Sequence, residues 1–259
     1  MFKNVLFKAV AIGALLSASL LNANQLADIK KSGVIKVAVP QDFSPFGSVA
    51  KDMSIQGYDV DMAQYIATDL GVKLKLVPVT SANRIPYLQT GKADLIISSL
   101  GKNPARQKAI DFTDAYAPFF LGVFGTKDVK VSSAADLKGK TVGVTRGSVE
   151  DIELSKLVDS SVTIKRFEDN SITISAFVSG QVKLIATGNI IVSDIAKKYP
   201  NTAPETKFAI KNSPCYIGLK KKQPELTAYL NGLIKDLKAN GKLNTTSQKW
   251  LKIDLPKDL

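Results

Sequence analysis

The sequence predicts an α/β fold, and three observations carry that prediction. Short β-branched runs alternate along the chain with segments of helical period. A hydrophobic content of 45% over 259 residues is enough for a sizeable core, in one large domain or two small lobes. Cys215 is the single cysteine, so no intrachain disulfide is possible and packing must hold the chain together.

The elements follow in order. Residues 1–23 carry Lys3 and Lys8, an apolar run from Ala9 to Leu16 and small residues up to Ala23, with no acidic residue. That is the pattern of a secretory signal peptide: the run is too short to anchor in a bilayer, cleavage is expected after Ala23, and no nearby cysteine offers a lipid attachment. Gly33–Val39 (GVIKVAV) alternates and is β-branched, the mark of a first strand, which Pro40 stops. In Gly57–Leu70, Val60, Ala63, Ile66, Ala67 and Leu70 recur with a helical period and Gly71 is placed to cap the end. Asp59 and Asp61 fall in the first turn of that helix, where carboxylates meet the positive end of the dipole; this explains them without a catalytic role. Val72–Val79 supplies a second strand and Ile85–Leu88 a short helix ending at Gly91. Arg84 lies between them. It would either add a cation at the sheet edge, favouring an acidic or dicarboxylate ligand, or sit salt-bridged on the rim.

The stretch Asp94–Tyr116 (DLIISSLGKNPARQKAIDFTDAY) organises the rest. Asp94–Ser98 reads as a short buried strand followed by a loop with Ser98, Ser99 and Gly101. Asn103 stands where an N-cap would, Pro104 at the first helical position, and Arg106 two residues on. Backbone N–H groups and a guanidinium thus converge on one small space. Such a space suits an anion, and a carboxylate best, because it takes two parallel hydrogen bonds from the arginine fork while hydroxyls and amides satisfy its other lone pairs.

Pro118–Lys127 is apolar and contains Gly122 and Gly125; Asp136–Lys140 is a turn and Thr141–Val144 a strand. Arg146-Gly147-Ser148 then leads into a helix starting near Val149, a second anion nest. Neither G-x-G-x-x-G nor a Walker lysine is present, so the nest is no nucleotide motif. Glu168–Gly180 carries a short helix, and Val182–Ala186 is a strand ending in Thr187-Gly188-Asn189. Phe208–Lys220 brings the chain back, with Pro214 before the strand Cys215–Leu219, and Cys215 reads as a small buried apolar residue. Pro224–Leu237 and Leu243–Trp250 are closing helices.

Composition excludes much. The chain has no histidine and no carboxylates clustered at ligand spacing, so zinc and copper sites lack their ligands and no metal or cofactor is expected. The same absence removes the usual general base, so the chain is expected to bind and not to catalyse. The formal charge of +12 falls to +10 once Lys3 and Lys8 leave with the signal. The lysines are scattered, with Lys220–Lys222 the longest run, so the charge reads as a solvated basic surface that draws in anionic solutes and not as a nucleic-acid site.

The segment from Asp94 to Tyr116 resembles the carboxylate-gripping loop of bacterial family 3 extracellular solute-binding proteins, the polar amino-acid receptors of ABC importers. In that family a strand ends in serines, a Thr-x-x-Arg turn follows, and a DF(S/T)…Y segment comes next; Arg106, Asp111, Phe112, Thr113 and Tyr116 match, while Asn103 replaces the threonine. Phe43-Ser44-Pro45-Phe46 resembles the family's (Y/F)-x-P-F loop, Gly57-Tyr58-Asp59-Val60-Asp61 its helix signature, and the tail at Trp250 its closing segment. The resemblance spans essentially the whole mature chain.

It implies the two-lobe periplasmic binding protein fold (type II), with mixed sheets flanked by helices and a ligand cleft between the lobes. Residues 24–122 and 214–259 would form lobe 1 and residues 123–213 lobe 2, with Gly122 and Gly125 absorbing the change of dihedral angles on closure. The implied ligand contacts are Arg106, Ser98, Ser99, Gly101, Phe43, Arg84, Gly147, Ser148, Val149 and Asn189; Val149 lacks the second hydroxyl usual in the family. The implied partners are a small amino acid or carboxylate and an ABC permease in the inner membrane, met by a monomer in the periplasm. One departure is consequential. Family receptors usually carry an aspartate at the end of the strand that here runs into Gly188 and Asn189, where it pairs with the ligand's ammonium group, and Lys183 replaces an acidic residue earlier in it. Either another carboxylate, such as Asp42 or Asp194, reaches in, or the ligand is an organic acid without an ammonium group. The alternative from another class is a periplasmic enzyme on the same fold, resembling cyclohexadienyl dehydratase, which would need a carboxylic acid in the cleft.

Overall fold

The computed structural model describes residues 24–259, so the signal-peptide reading of residues 1–23 lies outside the described residues. The first lobe opens with α1 (Gln25–Ser32), capped by the Asn24 side chain and ended by Gly33 in the left-handed region. The alternating run forms β1 (Val34–Val39), and a small meander follows: β2 (Asp42–Phe43), β3 (Gly47–Val49) and β4 (Ile55–Gln56). The periodic segment is α2 (Tyr58–Leu70), which buries Tyr58, Met62, Ala63, Ile66, Ala67 and Leu70 on one face, each of the larger side chains worth about 1.5–3 kcal/mol. Then come β5 (Lys73–Pro78), α3 (Arg84–Gln89), β6 (Leu95–Leu100), α4 (Pro104–Ala109) and β7 (Asp111–Ala117).

The second lobe contains β8 (Phe120–Gly125), β9 (Thr141–Thr145), α5 (Val149–Leu157), β10 (Thr163–Phe167), α6 (Asn170–Val178), β11 (Leu184–Gly188), α7 (Asn189–Lys198) and β12 (Glu205–Asn212). The chain returns through β13 (Cys215–Leu219) and closes with α8 (Pro224–Ala239) and α9 (Lys242–Trp250).

Each lobe is built on a mixed five-stranded sheet flanked by helices, ordered β5-β1-β6-β13-β7 in the first and β10-β9-β11-β8-β12 in the second. β1 runs parallel to β5 and β6, and the returning β13 inserts antiparallel between β6 and β7. β9 runs parallel to β10 and β11, while β8 is antiparallel to β11 and β12. Val123, Leu137, Val142, Val144, Leu154 and Leu184 form a core within the second lobe.

Two connections join the sheets, at Ala117–Phe120 and Asn212–Cys215, and the Ser213 amide donates to the Phe119 carbonyl at 2.9 Å, so the two run side by side. By sheet membership the first passage lies ahead of residue 122, where the sequence placed the boundary. Gly122 and Gly125 do not sit in a hinge. Gly122 pairs with Thr187 and Ala209 in mid-sheet, and a Cβ there would stand 2.9 Å from the Phe124 ring and 3.0 Å from the Phe208 carbonyl, so close packing explains it. Other differences are local. β6 runs on through Ser98 and Ser99, which the sequence placed in a loop, and β7 and β12 are strands the sequence left unassigned.

Candidate functional site

The arginine loop is held from below. The Ser99 backbone is in the left-handed region at φ 41, and its N–H donates to Asp59 Oδ2 at 2.7 Å. Asp59 Oδ1 accepts from the Tyr116 hydroxyl at 2.5 Å, and the Tyr58 hydroxyl donates to the Tyr116 carbonyl at 2.9 Å. Asp59 is therefore more than a dipole partner at a helix start: it is fully buried and fixes the end of β6. Burial pushes its carboxyl up to about 7, against the Tyr116 hydroxyl, the Ser99 amide and Arg84, which all favour the ionised form.

α4 starts as its residues dictate, with Asn103 Oδ1 accepting from the Arg106 N–H at 2.8 Å and Pro104 in the first turn. The Arg106 side chain, 5% exposed, donates from Nη1 to the Gly101 carbonyl at 2.8 Å and from Nη2 to the Gly147 carbonyl at 3.0 Å. Burial, and after it Arg84, lowers its pKa to about 10. The guanidinium thus spans from one lobe to the other.

Beside it lies a cavity of about 10 Å³ between the lobes, room for about one water, so the lobes are shut on each other. Phe43, Ser81, Arg84 and Ser99 wall it from the first lobe, Phe119 from the connection, and Ser148, Val149, Glu150 and Asn170 from the second. Apart from Phe119, these residues lie at or after the carboxyl ends of β1, β5 and β6 on one side and of β9 and β10 on the other, the edge where α/β sheets collect ligands. Arg84 is 4% exposed and its Nε is buried without a hydrogen-bond partner. Burial lowers its pKa, with Asp42, Glu150 and Asp59 opposing, in that order. Arg84 is not the rim salt bridge that was the other sequence reading. Glu150, in the first turn of α5, is raised by burial and pulled back by its own backbone amide, the Ser148 hydroxyl, Arg84 and Arg106.

Of the residues singled out by sequence, Phe43, Arg84, Ser99, Ser148 and Val149 meet around the cavity. Gly101 and Gly147 lie beside it, lending their carbonyls to Arg106; Gly147 has φ 71, and a Cβ on Gly101 would meet Ser213 Oγ at 2.6 Å and Val149 at 3.1 Å. Ser98 and Asn189 are elsewhere. The Ser98 hydroxyl is buried in β6 without a partner, and Asn189 Oδ1 accepts from the Phe120 N–H at 3.1 Å, tying α7 to the first connection. The end of β11 carries no carboxylate, and Phe119 covers it: a Cβ on Gly188 would stand 1.8 Å from that ring. Asp194 pairs with Lys198 at the surface, while Asp42 Oδ2 accepts from the Asn170 backbone and side-chain nitrogens at 2.8 and 3.1 Å, another bond between the lobes. Sequence reasoning passed over Ser81, Phe119, Glu150 and Asn170. Glu150 alone left a signal, an acid directly after an anion nest.

The model of the bacterial extracellular solute-binding proteins, family 3, matches residues 35–253. The ABC transporter glutamine-binding protein GlnH of Bacillus subtilis (strain 168) is 30% identical, over 88% of this chain and 85% of the relative. Among solved structures, the cysteine-binding protein from Campylobacter jejuni superposes with a TM-score of 0.83 at 27% identity, covering 91% of this chain and 96% of that one. An ancestral amino acid-binding protein, AncCDT-1, a precursor of cyclohexadienyl dehydratase, gives 0.80 at 30% identity, over 87% and 99% of the two chains. This chain, with its two sheets shut over a buried arginine, belongs to the bacterial extracellular solute-binding proteins, family 3.

Proposed function

We propose that the protein is the exported solute-binding component of an ABC importer, taking a small polar amino acid or related carboxylate between its lobes and presenting the closed form to a membrane permease. The observation that carries this reading is Arg84, a buried guanidinium with an unpartnered Nε on the wall of the interlobe cavity. A buried guanidinium N–H without a hydrogen-bond partner is costly, and a ligand carboxylate is the group that would relieve it. Arg106 stands by as the second cation, while the Ser99 and Ser148 hydroxyls and the α5 N-terminus supply neutral donors. A solute touching both walls binds the closed state better than the open one, and that difference is the signal a permease reads.

Native mass spectrometry of the purified protein, followed by calorimetry with a panel of amino acids and carboxylates, tests the reading. One retained or titrated small carboxylate per chain is the expected result; protein that stays empty and inert to the whole panel overturns it.

A second reading, a dehydratase on the same scaffold, draws on one observation: Glu150 is a buried acid on the cavity wall, where an enzyme would need a proton donor. Product from arogenate or prephenate would replace the receptor reading; stoichiometric binding without product excludes the dehydratase for those substrates.

A further inference from the structure

The walls of the interlobe cavity carry a charge balance of their own. Arg84 from the first lobe and Glu150 from the second line the cavity, while Arg106 stands outside the lining, bonded to the Gly101 and Gly147 carbonyls; each of the three is no more than 5% exposed. Asp42, whose charge acts most strongly on Arg84, spends Oδ2 on Asn170 and leaves Oδ1 buried without a partner. On the cavity wall itself one guanidinium, Arg84, therefore confronts one carboxylate, Glu150. Charge taken out of water is tolerated only where it meets its opposite. A solute with a carboxylate alone would leave this balance negative, and one with an added side-chain cation would leave it positive. A zwitterion keeps it level.

The carboxylate end of a zwitterion has its place at the guanidiniums. Its ammonium end needs an acceptor, and the end of β11 has none to give: Phe119 fills the space over Gly188, and the Asn189 amide oxygen is taken by Phe120. Among the carboxylates that act on Arg84, Glu150 is the one on the cavity wall, beside Ser148 and across from Arg84 and Ser99. We propose that Glu150 accepts the ammonium group of a zwitterionic α-amino acid whose carboxylate is held by the arginines of the facing lobe, so that this residue separates amino acids from simple organic acids. The inference rests on the cleft being the ligand site, as proposed above.

The test is titration calorimetry of the purified protein with the L-amino acids, and with the 2-hydroxy acid that matches the side chain of each amino acid that binds. Wild-type protein is expected to prefer the amino acid by at least about tenfold. Glu150→Gln, close in shape but uncharged, is expected to lose at least about tenfold in amino-acid affinity while hydroxy-acid affinity holds or rises. The assignment is overturned if the variant keeps the wild-type ratio, if both affinities fall by one factor, or if wild-type protein takes the hydroxy acid as tightly as the amino acid. Should Glu150→Gln not fold, judged by circular dichroism, Glu150→Ala reads the same ratio. Wild-type protein that binds no member of either series sinks the receptor reading itself, a result distinct from lost discrimination.

Discussion

Nη2 of Arg106, in the first lobe, donates to the backbone carbonyl of Gly147, in the second, across 3.0 Å. The residue that the sequence marks as an anion anchor is thus also a latch between the lobes. Gly147 can serve because its φ of 71 turns the loop before α5 toward Arg106, a conformation most side chains resist. The bonds to Gly101 and Gly147 use two of the five guanidinium donors.

Arg106→Ala removes both roles. Ligand affinity is expected to fall by at least about 2–5 kcal/mol, the cost of deleting one partner of a buried charge pair. Calorimetry returning wild-type affinity would refute the anchor.

Arg84→Met replaces a buried cation, whose Nε has no hydrogen-bond partner, with an apolar chain of similar length. Carboxylate affinity is expected to drop at least about tenfold, and the ligand-free melting temperature is expected to fall as well, because the carboxylates of Asp42 and Glu150 lose the cation that acts on them. A lower melting temperature with unchanged affinity would make Arg84 structural.

Asp59 links stability to pH. Its folded-state pKa of about 7 stands above the usual 3.8, so between those values the folded chain holds a proton that the unfolded chain has released. The stabilisation is complete below about pH 4 and is lost as pH rises through 7, with a slope approaching about 1.4 kcal/mol per pH unit. Urea midpoints of wild-type protein should therefore fall between pH 5 and pH 8 more steeply than those of Asp59→Asn. Parallel slopes in the two proteins would remove Asp59 from the account.

Gly188→Ala should be among the most damaging small substitutions in the chain. Its methyl group would enter the Phe119 ring, at 1.8 Å, and relief needs either the ring or β11 to move; overpacking of this kind costs about 1–3 kcal/mol. Adding Phe119→Ala should restore part of the loss, seen as a positive coupling in a double-mutant cycle. Additive effects would mean that the ring does not hold the position.

Local chemistry determined a good deal of this protein by itself. The β-branched run before Pro40, the apolar period ending at Gly71 and the Asn103-Pro104 helix start each became the expected element, because each depends on neighbours within a few residues. The α/β class follows from the same short-range rules. What the tertiary structure alone decided is which side chains meet across the gap. Glu150 received no role from the sequence, and the end of β11 read as lacking an aspartate; only the closing of one sheet over the other sets Glu150 on the cavity wall with Arg84 and lays Phe119 over Gly188. Such contacts join residues tens of positions apart, through side chains with no periodicity of their own, and their energies depend on burial that exists only once both lobes have folded.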